Sequence, residues 1–216
     1  MNESVTKKVD NYFSQHKQQK YKKGEILIRA DDDPLGIFYL KKGFVKKYAI
    51  SVRGDELIVN VFKPISFFPM SWAMNDTPNA YFYEAMTDLD IWRAPKEDVV
   101  AFIKSNPDVL YDLLSRVYKG TDGMLTRMTY LMAGNAYSRL IVELLIQAKR
   151  FGKKEVDYTE FKITEKDVAA QSGMTRETVS REMKRLKEKG FVTFSKNTLI
   201  IKDLGYLEKE LEEGIQ

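Results

Sequence analysis

Residues 175–202 hold eight basic side chains (Arg176, Arg181, Lys184, Arg185, Lys187, Lys189, Lys196 and Lys202) against three acids (Glu177, Glu182 and Glu188). That local net charge of +5 exceeds the +4 of the whole 216-residue chain. Local clustering of this kind points to a polyanionic partner in a way that a modest bulk charge does not. Covalent chemistry is poorly provided for. The chain has no Cys, which removes thiol nucleophiles, thiolate zinc sites and cysteine-ligated iron–sulfur clusters. The single His, His16, leaves no Ser/His/Asp set to assemble, and no P-loop or dinucleotide fingerprint occurs. Asp31-Asp32-Asp33 could attract a divalent cation, but with Pro34 behind it the triplet reads as a solvated turn. The expectation is a chain that is not an enzyme and carries neither metal nor cofactor.

The elements that position the basic cluster are legible around it. Thr164 with Asp167 three residues on approximates a capping box, Gly173 falls in a turn, and Thr175 is a second N-cap candidate. The helix it opens runs from Arg176 to Lys189 and stops at Gly190, a usual C-terminal glycine position. Val168, Ala169, Met174, Val179, Met183 and Leu186 can hold the two helices together, leaving Arg176, Glu177, Ser180, Arg181, Lys184 and Arg185 outward. Two short helices joined through a glycine turn form a helix-turn-helix. Phe191–Phe194 and Thr198–Ile201 flank the polar turn Ser195-Lys196-Asn197 and make a wing, with Lys196 placed to meet phosphate.

Upstream the patterning is different. From Tyr21 to Trp92 short β-rich runs (Ile26–Ile28, Gly36–Leu40, Phe44–Ile50, Leu57–Phe62, Phe82–Ala85) recur between Gly, Asp and Pro turns, which predicts one antiparallel β domain. Arg53-Gly54-Asp55 is a hairpin turn. Pro95 with Glu97 and Asp98 looks like a first helical turn, and Asn106-Pro107-Asp108 supplies an N-cap, Pro at N1 and an acid for a long helix. Along it Leu110, Leu114, Val117, Thr121, Met124, Met128 and Leu131 step 4-3-4-3-4-3, a heptad seam that wants a partner helix. Packing of that seam on the β domain is the alternative. Gly134-Asn135 is a hinge, Ala136–Phe151 another amphipathic helix ended by Gly152, residues 153–162 a linker or strand, and Glu208–Glu213 a frayed or surface helix.

Hydrophobic residues at 44% and charged residues at 31% suit a folded, soluble chain. The apolar stretch Leu140–Ile146 is interrupted by Glu143 and is far shorter than the roughly 20 residues of a membrane helix. The amino terminus lacks an apolar signal core, so no membrane partner and a cytoplasmic location are expected.

The run ITEKDVAAQSGMTRETVSREMKRLKEKGFV from Ile163 resembles the DNA-binding region of the family that includes the cyclic-AMP receptor protein and the fumarate–nitrate reduction regulator. The resemblance extends from about Tyr21 to Asp203. It implies an α+β protein with an N-terminal antiparallel β-roll (a double-stranded β-helix of cyclic-nucleotide-binding type, residues 1–105), a long dimerisation helix and hinge (106–134) and a C-terminal winged helix-turn-helix (135–216). It further implies a homodimeric transcription regulator that binds pseudo-palindromic double-stranded DNA and contacts RNA polymerase. Matched by residue, Arg176, Glu177 and Arg181 take base-reading positions; their chemistry fits independently, since Arg is bidentate to guanine and Glu accepts from cytosine N4. Thr164, Thr175, Thr178, Ser180 and Lys196 take positions that resemble phosphate contacts.

In the family's cyclic-nucleotide branch a cassette offers Gly-Glu to the ribose and Arg-Ser to the cyclic phosphate. An alignment anchored on Glu84–Thr87 places Phe68-Pro69 and Asn79-Ala80 there, so the fixed charge of the Arg is gone and cyclic nucleotide is not expected. Phe67, Phe68, Trp72, Tyr81, Phe82 and Tyr83 fill the region instead. Either they form a closed core that holds the dimer competent, or they wall a pocket for an unidentified apolar or aromatic small-molecule effector. The rival reading of the whole chain is a small-molecule or protein-sensing module whose winged helix serves protein contacts.

Overall fold

The structure is a computed structural model and describes residues 3–195 and 197–213. The backbone divides into two compact units, Met1–Val117 and Tyr118–Gln216.

The first unit begins with α1 (Glu3–Phe13), an amphipathic helix that buries Val5, Val9 and Phe13. Eight strands follow: β1 (Lys17–Tyr21), β2 (Ile26–Ile28), β3 (Ile37–Lys42), β4 (Val45–Ile50), β5 (Glu56–Phe62), β6 (Ser66–Phe68), then the short α2 (Met70–Asn75), β7 (Phe82–Ala85) and β8 (Leu89–Ala94). They form two four-stranded antiparallel sheets, ordered β1-β8-β3-β6 and β2-β7-β4-β5. The run Ile37-Phe38-Tyr39-Leu40 explains the layering, because a strand buried on both faces needs no polar alternation. Phe38 and Leu40 join Ile28, Val45, Phe68, Tyr83, Ala85 and Ile91 in the core between the sheets. Ile37 and Tyr39 face the other way, packing with Val9 and Phe13 of α1 and with Val99 and Ile103 of α3 (Lys96–Ser105). Tyr39 also donates its hydroxyl to Asp10 at 2.7 Å, and Asp10 accepts from Lys41 at 2.6 Å, which ties α1 down through charge-assisted bonds.

The long helix α4 (Pro107–Ala133) starts where Asn106-Pro107-Asp108 predicts. The cap differs in detail. The Asn106 side-chain amide turns back and donates to the Phe102 carbonyl at 2.7 Å, closing α3. Asp108 serves the start of α4, pairing with Lys8 at 2.6 Å. Val109 is the fully buried anchor of α4 in the first unit.

The second unit contains the rest of α4, then α5 (Ala136–Phe151), β9 (Lys153–Lys154), β10 (Thr159–Lys162), α6 (Glu165–Ser172), α7 (Arg176–Glu188), β11 (Val192–Ser195), β12 (Thr198–Ile201) and α8 (Leu204–Glu213). Its four strands form one antiparallel sheet, β11-β12-β10-β9. The segment 153–162 is therefore a hairpin that adds two strands to the wing, where the sequence left a linker or a strand open. The C-terminal segment is a helix with one face on the core: α8 buries Leu207 and Leu211 against Leu140, Ile141, Leu144, Val168, Val179, Met183 and Leu186. Glu210 on the same helix accepts from Tyr137 at 2.8 Å and pairs with Lys189.

Candidate nucleic-acid interface

Each end of α6 and the start of α7 is fixed by a local device. Thr164 Oγ1 accepts from the Asp167 backbone N–H at 3.1 Å, while the Asp167 carboxylate accepts from the Thr164 backbone N–H at 3.1 Å, a complete capping box. Asp rather than Glu or Gln closes it, because the Thr164 hydroxyl also donates to Asp167 Oδ2 at 2.6 Å. Gly173 ends α6 at φ +64°, the left-handed region that a Cβ disfavours. Thr175 then caps α7, accepting from the Thr178 N–H at 3.2 Å. Val168, Val179, Met183 and Leu186 are fully buried between the helices. The turn angle between α6 and α7 is thus set by two caps, one glycine and a shared apolar seam.

Those constraints leave Arg176, Glu177, Ser180, Arg181, Lys184 and Arg185 exposed on α7. They are not equivalent. Arg176 has no ion-pair partner among the described residues. Arg181 pairs with Glu182 at 3.0 Å, so the Glu177 partner at i−4 that helical spacing offers is not used. Glu177 is held ionised by its own backbone N–H and then by the Thr175 hydroxyl, which keep its carboxyl below the usual range. Arg185 lies 4.0 Å over the Tyr137 ring, which diverts it from the outward row. The hydroxyls of Thr164 and Thr175 are engaged in helix capping, and that of Thr178 bonds the Thr175 hydroxyl at 3.1 Å. Lys196 lies outside the described residues. The wing strands around it pair from Val192↔Ile201 to Ser195↔Thr198, and the Asn197 carbonyl accepts from Ile163 N at 2.9 Å, tying the wing turn to the residue before α6.

The cassette positions in the β-roll are occupied by structural side chains. Phe68 stacks on Phe62, Tyr83 and Phe38 with ring centroids 4.7, 5.3 and 5.8 Å away. Pro69 is buried. Asn79 is a backbone brace: its amide nitrogen donates to the carbonyls of Arg29 and Tyr81 at 2.8 and 2.9 Å. Trp72 Nε1 donates to Asp33 Oδ1 at 2.7 Å, so one acid of the Asp31–Asp33 triplet holds an indole. Ala80 is exposed and brings no donor.

On α4, Leu110, Leu114, Val117, Met124, Met128 and Leu131 are each between 41% and 62% exposed in the single chain, and Thr121 is exposed between them. Tyr111, Tyr118, Leu125 and Met132 widen this apolar strip. One group of residues was not singled out from the sequence. Glu143 is 1% exposed, and both its oxygens accept from Arg127, at 2.8 and 2.9 Å. Gln147 donates to Glu143 at 2.7 Å and bonds Gln171 of α6. The signal available was an acid inside the apolar run Leu140–Ile146, since a buried carboxylate requires a partner.

A β-roll followed by a winged helix-turn-helix with an exposed cationic recognition helix defines a class of two-domain DNA-binding regulator. Comparison with known proteins agrees with that class. Residues 18–106 match the cyclic nucleotide-binding domain and residues 138–210 the Crp-like helix-turn-helix domain. The global nitrogen regulator of a Nostoc species is 26% identical over 191 residues, covering 85% of this chain and 84% of the relative. The cAMP-activated global transcriptional regulator CRP of Haemophilus influenzae is 23% identical over 186 residues, covering 84% and 82%. A solved CRP/FNR-family transcriptional regulator from Thermus thermophilus superposes with a TM-score of 0.71 at 24% identity, covering 93% of this chain and all of the other. The chain belongs to the Crp/Fnr family and is a transcription regulator with a helix-turn-helix DNA-binding domain. No helix among the described residues is long and apolar enough to cross a membrane.

Proposed function

We propose that two copies of this chain join through the Leu110–Leu131 strip of α4 and read a pseudo-palindromic duplex in the cytoplasm, without a cyclic nucleotide and without catalysing a reaction. Domain limits of 1–105, 106–134 and 135–216 describe the division of labour. Arg176, Glu177 and Arg181 read base edges; Thr164, Thr175, Thr178, Ser180 and Lys196 contact phosphates; a further surface engages RNA polymerase. The observation that carries this reading is the exposed row Arg176, Glu177, Arg181 on a capped helix whose opposite face is wholly buried. The threonine caps support phosphate contact because a helix N-terminus presents orphan N–H groups to an anion. The loss of every charged cassette side chain supports independence from cyclic nucleotide. Two recognition helices related by a two-fold axis fit half-sites about 34 Å apart.

The test is fluorescence anisotropy with the selected duplex and single-base variants of it. Arg181→Ala is expected to cost about 1–3 kcal/mol on the best sequence and to flatten discrimination at one base pair per half-site. An equal loss on every sequence would remove Arg181 from base reading.

A further inference from the structure

The buried face of α7 contains an acid. Val179, Met183 and Leu186 are fully buried, and Glu182 fills the place three residues after Val179 that an apolar residue takes on such a face. Its side chain is 12% exposed, whereas that of the neighbouring Arg181 is 68% exposed. A carboxylate in such a place is costly unless cations and donors meet it. Two arginines of the same helix do so. Arg181 Nε donates to Glu182 Oε1 at 3.0 Å, and Arg185 Nη1 lies 4.0 Å from Glu182 Oε2. Arg185 in turn lies 4.0 Å over the Tyr137 ring, and Tyr137 donates its hydroxyl to Glu210 of α8 at 2.8 Å. Glu182 therefore stands in a frame supplied by α5, α7 and α8, all within the second unit. Residues one apart on a helix do not face each other, so the contact with Arg181 is a particular placing of that side chain and not a consequence of helical spacing. It uses Nε alone: among the described residues neither terminal nitrogen of Arg181 has a hydrogen-bond or ion-pair partner.

We propose that Glu182 is a positioning residue that sets base specificity through Arg181, holding the guanidinium by Nε and leaving both terminal nitrogens for guanine. The proposal rests on the reading of Arg181 as a base reader. An arginine recognises guanine bidentately, with two N–H groups directed at O6 and N7. The guanidinium fork offers such a pair side-on, from Nε and one Nη, or end-on, from the two Nη. A carboxylate on Nε removes the side-on pair and leaves the end-on pair. It also orders a long side chain before DNA arrives, and the ordering of such a side chain otherwise opposes binding. Immobilising one rotamer-rich side chain in advance is equivalent to a factor of about three to ten in the equilibrium constant. The gain falls on the base whose acceptors match the held fork and not on duplexes in general. Glu182 thus governs discrimination without touching DNA.

The test is a double-mutant cycle on the full-length protein, read by fluorescence anisotropy with the selected duplex and with every single-base variant of one half-site. Arg181→Ala locates the base pair that Arg181 reads. Glu182→Met keeps the length of the side chain and suits its apolar surroundings, so it removes the hold on Arg181 with little cost to folding. It is expected to lower discrimination at the Arg181 base pair by about three- to tenfold, to leave discrimination at the other base pairs within about twofold, and to have no further effect on discrimination in the Arg181→Ala background. Equal weakening of every duplex by Glu182→Met, unchanged or sharper discrimination, or a loss that persists in the Arg181→Ala background would each overturn the proposal. If Glu182→Met fails to fold, Glu182→Ala carries the same comparison. Arg181→Ala separates the two readings. A base-specific loss with Arg181→Ala but none with Glu182→Met removes the role of Glu182 alone, whereas equal weakening of all duplexes by Arg181→Ala removes Arg181 from base reading and the role of Glu182 with it.

Discussion

Replacing Arg127 by Ala leaves Glu143 buried at 1% exposure with its bidentate cation gone. Removing one partner of a buried ion pair costs about 3–5 kcal/mol, since the surviving charge keeps its desolvation penalty. Two features place this case at the lower end. Gln147 still donates to Glu143 at 2.7 Å, and the Arg127 side chain is 18% exposed, which lets water reach the pair. A loss of about 3 kcal/mol corresponds to roughly a hundredfold rise in the opening equilibrium of the second unit. Tryptophan fluorescence cannot report it, because that unit contains no Trp. Hydrogen exchange of peptides from residues 136–188 can, and it avoids assigning one unfolding free energy to a two-unit protein. The double variant Arg127→Met/Glu143→Met removes both charges and keeps the volume, so it is expected to exchange close to the parent rate. A single variant that exchanges within threefold of the parent, or a double variant as labile as the single, would refute the reasoning.

The caps and the seam yield further expectations. Thr164→Ala removes the hydroxyl that accepts from Asp167 N and is expected to lower stability by about 0.5–2 kcal/mol in urea titrations followed by circular dichroism. Gly173→Ala meets nothing within 4 Å, so its cost, about 1–2 kcal/mol, comes from the positive φ alone, and Gly173→Asn should cost less. Leu114→Glu with Met128→Glu puts charge into the apolar strip of α4 and is expected to shift sedimentation from dimer to monomer; an unchanged coefficient would place the interface elsewhere. Lys196→Ala should weaken all duplexes alike and reduce the salt slope by about one, measured by anisotropy at several ionic strengths.

The two helices of the DNA-binding unit were legible because their determinants are local: Thr164 with Asp167, Gly173, Thr175 and Gly190 each act on the helix end beside them. β2, β3, β4, β5 and β7 were found as short β-rich runs between turn residues, whereas β6, three residues long, was not singled out. β1 was not, since Lys17-Gln18-Gln19-Lys20-Tyr21 has no apolar alternation and becomes a strand only by pairing with β8. α1 was passed over because its buried face consists of only Val5, Val9 and Phe13. Asn106 shows the limit of cap reading: either neighbouring helix could use its side chain, and the Phe102 carbonyl took it. At the site, the outward row on α7 followed from helical periodicity. The diversion of Arg185 to Tyr137 and of Arg181 to Glu182 did not, as one partner is distant in sequence and the other lies at a spacing that helical pairing rules disfavour.

The central claim is sequence-specific duplex binding by a ligand-free dimer. The most direct measurement is selection of random duplex DNA by the purified protein at moderate salt, followed by sequencing of the retained pool. A two-fold symmetric motif with half-sites about one helical turn apart is predicted. A pool with no enriched motif would contradict the account.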